Sequence, residues 1–234
     1  MRNLAFESLP STNAYAKEKI ESLRHGDIIL AKTQTAGRGR NKRQWLSEKG
    51  GLYFSLILKD NLQDKNKLSS FTQAMALAVC QTIKQQGLPC YLKWPNDVLL
   101  SGGKFCGILS EVIFDDETTK ALILGVGINN KQPQVNSDKP AATLLGAGLE
   151  IENEKLLELI LKSFEIFKTA LIQNGFAALA DSYKSNFPYL GKEIKINTQF
   201  GQIYGVAQDI DSQGRLVIKT QDGLQTISIG DMDF

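Results

Sequence analysis

The chain has 234 residues, enough for one domain of ordinary size with a small second one. Its apolar content of 42% and charged content of 22% are typical of globular proteins. The 27 basic and 25 acidic side chains give a formal net charge of +2, which argues against a general nucleic-acid binder and makes any basic cluster a local feature.

The cysteine content and the N-terminus indicate the setting of the protein. Cys80, Cys90 and Cys106 are widely spaced and, with the single His25, offer no zinc-binding pattern. The first residues lack the apolar segment of a signal peptide, and no apolar run reaches the ~18 residues of a membrane span. We therefore expect a reducing, cytoplasmic location and no membrane partner.

Helical and β-strand patterns alternate along the first 130 residues. Ser11 or Thr12 is a good N-cap for a first helix, and Gly26 is a good stop signal. Apolar residues on both faces of the run at 52–58 indicate a strand inside a sheet. Gly107, inside a later strand, indicates a bulge or the close approach of a ligand. The predicted elements are a helix at 12–24, strands at 28–31 and 52–58, a helix at 65–86, and strands at 104–114 and 121–128.

The pattern changes again near the C-terminus. After Pro188 apolar residues alternate in short runs separated by turns, which is typical of antiparallel strands. We predict an α+β fold: a main domain of residues 1–187, in which helices pack on one face of a mixed sheet, and a small docked β-barrel at 188–234. The barrel carries no evident site residues of its own. The three helices predicted before it lie at 141–147, 152–173 and 176–184.

A basic loop at 34–45 separates two predicted strands. Four cations fall within residues 38–43, and Gly37 and Gly39 stand among them. This pattern has no apolar face, so it cannot contribute to a core. Glycine allows close approach of the backbone to a ligand, and arginine donates paired hydrogen bonds to phosphate or carboxylate. The loop is either an anion-binding segment that orders over its ligand or a solvated basic loop, and the stretch alone leaves both open.

Two further motifs place polar groups beside predicted strands. They are Lys93-Trp94-Pro95-Asn96-Asp97, followed by Lys104, and Gly125-Val126-Gly127-Ile128-Asn129. Each alone has a structural explanation, as edge lysines or turn residues. Together with the basic loop they describe a pocket of cations and amides, which suits phosphoryl or nucleotidyl transfer. No Walker-type phosphate loop or dinucleotide glycine fingerprint is present.

These motifs resemble those of the biotin–protein ligases (biotin–[acetyl-CoA-carboxylase] ligases). The resemblance rests on Ser11-Thr12-Asn13, Gln34-Thr35-Ala36-Gly37-Arg38-Gly39-Arg40 with Trp45, Lys93-Trp94-Pro95-Asn96-Asp97, Lys104-Phe105-Cys106-Gly107-Ile108-Leu109-Ser110-Glu111 and Gly125-Val126-Gly127-Ile128-Asn129. It implies a class II synthetase-like fold and a two-step reaction. Biotin and ATP, with Mg²⁺, would give biotinyl-5′-AMP, and the biotinyl group would then pass to a lysine of an acceptor protein.

The resemblance also implies roles for individual residues. Lys104 and Arg40 would be the catalytic cations, and Asp97 would contact magnesium. The residues implied on the biotin side are Ser11, Thr12, Asn13, Gln34, Gly37, Arg38, Arg40, Lys104 and Gly107. The residues implied on the nucleotide side are Arg40, Arg43, Trp45, Asn96, Lys104 and Asn129.

The same resemblance suggests the partners. The acceptor would be the biotin carboxyl carrier protein of acetyl-CoA carboxylase. Larger members carry an N-terminal DNA-binding winged helix, whereas the matching motifs here begin at Ser11, so we expect no DNA partner. A homodimer could form through the sheet edges.

Three other functions compete with this one. A lipoate–protein ligase or octanoyl transferase shares the fold by resemblance, but the Gly-Arg-Gly-Arg and Lys-Trp-Pro-Asn-Asp sequences disfavour it. A non-catalytic small-molecule sensor could use the barrel as a partner surface. A nucleic-acid protein could use the arginine cluster, although the balanced net charge argues against it.

Overall fold

The computed structural model describes residues 2–135 and 137–233, which form a larger and a smaller β-sheet with helices packed against them. The helices are α1 (Thr12–Glu18), α2 (Leu68–Gln85), α3 (Asn153–Asn174) and α4 (Ala177–Ser185). The strands of the main sheet are β1 (Asn3–Leu9), β2 (Ile28–Gln34), β3 (Leu52–Leu58), β4 (Cys90–Lys93), β5 (Asp97–Leu100), β6 (Gly103–Asp115) and β7 (Thr118–Ile128). The strands of the C-terminal sheet are β8 (Glu193–Thr198), β9 (Gly201–Ile210), β10 (Leu216–Thr220), β11 (Gly223–Ile227) and β12 (Asp231–Asp233).

The main sheet is mixed, as predicted, with the strand order β1-β2-β3-β7-β6-β5-β4. Only β1 and β2 run parallel, and the other neighbours are antiparallel. We did not predict β1, because Leu4 and Phe6 give too short an apolar alternation. Its position depends on pairing with β2, where Asn3 lies opposite Ile28.

Helices cover both faces of this sheet, whereas we expected them on one. Phe54 and Leu56 of β3 belong to the large apolar core shared with α2 and α3. Ile57, which points to the opposite face, packs with Ala16 of α1 and Ile20 just beyond it in a second, smaller core. The continuous apolar run of β3 is therefore explained by burial on both sides. The sheet lies between α1 and the other helices.

Two predicted helices are shorter than expected. The first ends at Glu18 rather than near residue 24, because the chain then turns back towards β2 and the Asp27 carboxylate accepts a hydrogen bond from the Arg24 backbone at 3.0 Å. The segment 141–147 contains only a short 3-10 turn at Leu145–Ala147. Among the described residues, no helix is both long and apolar enough to cross a membrane.

The C-terminal strands form an antiparallel sheet in the order β11-β10-β9-β8-β12. The described residues show no pairing between the end strands β11 and β12, so the expected closed barrel is not found. The sheet docks on the main core through the Gly214 carbonyl. This carbonyl accepts hydrogen bonds from Gln73 of α2 at 2.7 Å and from the Trp94 indole at 3.0 Å. Ile196 and Ile218 join the same apolar core as the main sheet.

A buried carboxylate, Asp27, holds the N-terminal edge of the main sheet in place, and the stability of the fold therefore depends on pH. Asp27 accepts hydrogen bonds from the Arg2 backbone, the Arg2 guanidinium and the Arg24 backbone. The guanidinium is the largest influence, and the pKa of Asp27 falls to about 2. Stability from this group is complete above the ordinary carboxyl pKa of about 4 and is lost as the pH falls towards 2.

We therefore expect Asp27→Asn to be less stable than the wild type at pH 7, with the difference shrinking between pH 4 and pH 2. Urea denaturation midpoints measured across that range test this. Asp222→Asn, which changes a turn carboxylate with no ion pair among the described residues, is the matched control. A constant difference between Asp27→Asn and wild type at every pH would contradict the assignment.

Candidate active site

A cavity of about 970 Å³ opens on the α1 face of the main sheet. Its floor is β6 and β7, where the strand register places Gly107 opposite Gly127 and Leu109 opposite Gly125. A Cβ atom on Gly125 would lie 2.2 Å from the Asn13 amide oxygen, and one on Gly127 would lie 2.4 Å from the Trp45 indole nitrogen. The glycines thus leave space for side chains of the walls, and a ligand, to approach the backbone of the sheet.

One wall is the start of α1. Ser11 is the N-cap of the helix, and its hydroxyl accepts a hydrogen bond from the Ala14 backbone at 3.4 Å. The Thr12 backbone donates to the Gln34 amide oxygen at 2.8 Å, and the Gln34 amide nitrogen donates to the Ser47 hydroxyl at 2.7 Å. These hydrogen bonds connect the start of α1 with Gln34, where the basic loop begins, and with Ser47, just after the loop ends.

Asn13 is held from several directions in the same wall. Its amide oxygen accepts a hydrogen bond from the Ser55 hydroxyl at 2.6 Å. Its amide nitrogen donates to the Glu111 carboxylate at 2.9 Å and to the Leu109 carbonyl at 3.2 Å. These contacts fix the side chain directly over Gly125, so Asn13 shapes the cavity as much as it could bind a ligand.

The basic loop is an ordered hairpin rather than an open strand of chain. The Gly39 backbone donates to the Arg43 carbonyl at 2.8 Å, and the Trp45 backbone donates to the Gly37 carbonyl at 2.9 Å. Asn41 and Lys42 both have positive φ, at 53° and 59°. The Arg43 backbone also donates to the Arg40 carbonyl at 3.1 Å, so Asn41 and Lys42 are the two central residues of a tight hairpin turn, which requires positive φ at both.

The loop is fastened to the C-terminal sheet through Asp231. This carboxylate lies 3.3 Å from the Arg40 guanidinium, 3.2 Å from that of Arg43 and 2.8 Å from the Asn41 amide nitrogen. Arg40 also donates to the Asn96 side chain at 3.2 Å and to the Gly230 carbonyl at 3.1 Å. The contacts of Arg40 are inconsistent with a freely solvated loop.

Lys104 lines the cavity beside Asp97 and Trp45. Its ammonium lies 2.7 Å from the Asp97 carboxylate and 5.0 Å from the centre of the Trp45 ring. The Trp45 indole nitrogen is buried with no hydrogen-bond partner in the described part of the chain. Lys93 lies 3.8 Å from the Asp233 carboxylate, and burial lowers its pKa. Positive charge is therefore concentrated here and only partly offset by internal carboxylates.

The cavity brings together most of the residues named from the sequence. The predicted residues that line it are Ser11, Thr12, Asn13, Gln34, Arg38, Arg40, Arg43, Trp45, Asn96, Asp97, Lys104 and Gly107.

Gly37 and Asn129 do not line this cavity. A Cβ on Gly37 would lie 2.4 Å from the Trp45 carbonyl, so glycine is needed for the hairpin itself. The Asn129 amide nitrogen donates to the Ala142 carbonyl at 3.2 Å and to that of Lys104 at 3.4 Å. The structure therefore gives Asn129 a supporting position behind Lys104, and its contact with a nucleotide stays a prediction.

The C-terminal sheet supplies wall residues that the sequence analysis missed. Lys195 and β12, with Asp231 and Asp233, line the cavity. We had assigned this part of the chain no site residues. The only signal was a pair of aspartates flanking Met232, and nothing local connects them with arginines about 190 positions earlier in the sequence.

The cavity carboxylates are paired with cations: Asp97 with Lys104, Asp231 with Arg40, and Asp233 with Lys93. No group of three or more His, Cys, Asp or Glu side chains able to hold a metal occurs among residues 2–135 and 137–233. That Asp97 contacts magnesium stays a prediction.

We expect removal of the Asp231 carboxylate to loosen the basic loop, because three of the loop's side chains lose their shared partner. Trypsin cuts after Arg and Lys, so cleavage within residues 38–43 should be several-fold faster in Asp231→Ala than in wild type. Mass spectrometry of limited digests identifies the cut. Asp222→Asn should behave as wild type, and equal cleavage rates for Asp231→Ala and wild type would show that the loop is held by other contacts.

The comparisons with known proteins agree with this architecture. Residues 5–129 match the model of the Biotin/lipoate A/B protein ligase family, and residues 189–234 match the Biotin protein ligase C terminal domain. A biotin--[acetyl-CoA-carboxylase] ligase of Paracoccus denitrificans is 30% identical over 96% of this chain and 97% of its own length. The bifunctional ligase/repressor BirA of Bacillus subtilis is 35% identical over 89% of this chain.

The chain spans 66% of the length of that Bacillus relative. Among solved structures, the biotin protein ligase from Aquifex aeolicus in complex with biotin and ATP superposes with a TM-score of 0.87 at 29% identity, covering 99% of this chain and 97% of that one. With a family model matching more than half of its residues and a relative aligned along nearly its whole length, the chain belongs to the biotin/lipoate A/B protein ligase family.

Proposed function

We propose that this protein activates biotin with ATP and transfers the biotinyl group to a lysine of a biotin carboxyl carrier domain. The observation that carries the proposal is the convergence of Arg40, Arg43 and Lys104 on a cavity with a glycine floor. The names of the relatives and the biotin- and ATP-bound neighbour from Aquifex support it.

In the first step an oxygen of the biotin carboxylate attacks the α-phosphorus of ATP. The bond from this phosphorus to the bridging oxygen of pyrophosphate breaks, and biotinyl-5′-AMP forms. Carboxylate and phosphate repel each other, so fixed positive charge at their meeting point lowers the barrier. We assign this role to Lys104, which lines the cavity and whose ammonium lies beside the Asp97 carboxylate.

In the second step the amine of the acceptor lysine attacks the acyl carbon, AMP leaves with the bonding electrons, and the amine loses a proton. The mixed anhydride would be hydrolysed if water reached it first. We assign Arg40 and the hairpin around it to cover the adenylate. Ser11, Thr12, Asn13, Gln34, Gly37, Arg38 and Gly107 remain our proposal for the biotin side, and Arg43, Trp45, Asn96 and Asn129 for the nucleotide side.

Magnesium would enter with the nucleotide. Mg²⁺ is usually held by substrate phosphates, water and one or two carboxylates rather than by a complete protein cage. Asp97, which lines the cavity beside Lys104, remains our proposal for the carboxylate that would contact the ion, and we assign no step to the ion.

Biotin-dependent exchange of labelled pyrophosphate into ATP tests the proposed function. We expect exchange with biotin and none with lipoate or octanoate, since the C-terminal match is to a biotin ligase domain. Exchange that depends on lipoate would establish the alternative ligase. Biotin binding by calorimetry without any exchange would establish a sensor.

Three wider predictions remain proposals. The division into units at residue 187/188 agrees with the second family match, although both parts share one apolar core. A homodimer could form through β1, which is an end strand of the main sheet. A cytoplasmic location without a DNA partner fits the balanced net charge of the chain.

Lys104→Ala should slow biotinyl-AMP formation by about 10²-fold or more, the usual cost of removing a positioned charge stabiliser. Single-turnover formation of labelled biotinyl-AMP measures it. Lys155→Ala, on the solvent side of α3, should leave the rate unchanged. A near-normal rate in Lys104→Ala would exclude the assigned role.

Arg40→Ala should release biotinyl-AMP into solution faster than wild type while leaving the fold intact. Arg40 contributes contacts to Asn96, Gly230 and Asp231, and without them the hairpin covers the cavity less firmly. Filter binding of preformed complex measures retention of biotinyl-AMP. Arg24→Ala, a change at an exposed side chain, serves as the control. Equal retention in wild type and Arg40→Ala would argue against a covering role.

A further inference from the structure

We propose that the outward face of the C-terminal sheet is the docking surface for the acceptor protein, an inference that rests on the proposed function. This acceptor face consists of the outward side chains of β8 to β11 and the apolar side chains of the adjacent turns. Its basic and apolar members are Lys195, Tyr204, Val206, Lys219 and Leu224, with Phe200 and Ile229 in the turns, and Glu193, opposite Val206, adds one outward carboxylate.

The two faces of this sheet differ sharply in exposure. Ile194, Ile196, Ala207, Leu216 and Ile218 point inward and are buried in the main core. The alternate positions point outward, as the period of two in a strand requires. One side of the sheet is thus used for folding, and the outward side is left uncovered in the described chain.

Exposed apolar side chains concentrate on this surface. Seven large hydrophobic side chains are classed as exposed in the described residues, and four of them are Phe200, Tyr204, Leu224 and Ile229, at 63% to 91% exposure. The other three are isolated from one another in sequence, at Phe114, Leu145 and Ile166. Single exposed apolar residues are ordinary, whereas four between residues 200 and 229, two on strands and two in turns, indicate a binding surface.

The acceptor face is continuous with the mouth of the cavity. Lys195 lines the cavity and lies opposite both Tyr204 on β9 and Asp233 on β12. Leu224 lies on β11, opposite Lys219 of β10. Because β11 is three strands from β8, the two strands are roughly 14 Å apart at the usual strand spacing. A standard interface covers about 800 Å² of each partner, a patch roughly 16 Å in radius. An interface centred on Lys195 would therefore reach Leu224 along the sheet.

The chemistry of the face fits a protein that presents a lysine. Biotin and ATP are small enough for the cavity, so the reactant that needs an external surface is the acceptor. Lys195 and Lys219 form no ion pair with a carboxylate of the described chain. We therefore expect a small folded domain with its acceptor lysine on an exposed turn, flanked by apolar side chains and at least one carboxylate.

The test separates the two half-reactions of the full-length enzyme. Tyr204→Ser with Leu224→Ser should lower kcat/KM for a biotin carboxyl carrier domain at least ten-fold, mainly through KM. Single-turnover biotinyl-AMP formation should be unchanged, and so should transfer to hydroxylamine, a nucleophile too small to need the face. Lys219→Glu should weaken acceptor binding further at low salt than at high salt.

Ile166→Ser is the matched control, since it removes an equally exposed apolar side chain from α3. Unchanged kcat/KM for the carrier domain in the double variant would overturn the inference, as would an equal loss with Ile166→Ser. Equal losses in adenylation and transfer would also overturn it, since they indicate a general disturbance. If the double variant instead converts a dimer into monomers without affecting transfer, the face binds a second copy and the inference is wrong. Failure of wild type to form biotinyl-AMP would refute the proposed function itself.

Discussion

The register between β6 and β7 determines where a ligand can bind in this molecule. It places Gly107 opposite Gly127, and it brings Gly125 beneath Asn13. Both strands are buried on their other face by the apolar core, so neither can shift by one residue without exposing that core. The hollow on the α1 side is therefore fixed by the same packing that stabilises the fold.

The charges around this hollow form a second constraint. Asp97 forms an ion pair with Lys104, Arg40 and Arg43 share Asp231, and Asp233 lies beside Lys93. Concentrated positive charge would otherwise destabilise the folded chain. An anionic ligand must compete with these carboxylates for the same cations. The electrostatic free energy of its binding is therefore the difference between the ion pairs that it forms and those that it replaces. The internal carboxylates thereby preorganise the cations at a cost in affinity.

The sequence predicts the parts of this arrangement that depend on neighbouring residues. Local patterns were sufficient for β3, α2, α3 and the long hairpin of β6 and β7. The motifs also named twelve residues that line the cavity. The sequence did not predict contacts between distant segments, such as the hydrogen bond from Asn41 to Asp231, 190 positions later. The hydrogen bonds from the Asn129 amide to the Lys104 and Ala142 carbonyls were likewise not predictable, because its motif shows only that the segment is polar.

The C-terminal sheet was the least predictable part. Alternating apolar residues indicate strands, but whether five strands close into a barrel depends on the twist and tilt accumulated across the sheet. The position of β1 depended likewise on a parallel partner rather than on its own apolar pattern. Register and closure are tertiary properties that a single strand does not encode.

The position of Asp231 has a consequence for biosynthesis. The hairpin with its arginines leaves the ribosome early, whereas the carboxylate that restrains it belongs to β12, about 190 residues later. Domains tend to fold as units while the chain is still being made. A nascent chain that already contains the main sheet would hold its arginines without the Asp231 carboxylate, and thus open to other cellular anions, until β12 has emerged and paired with β8.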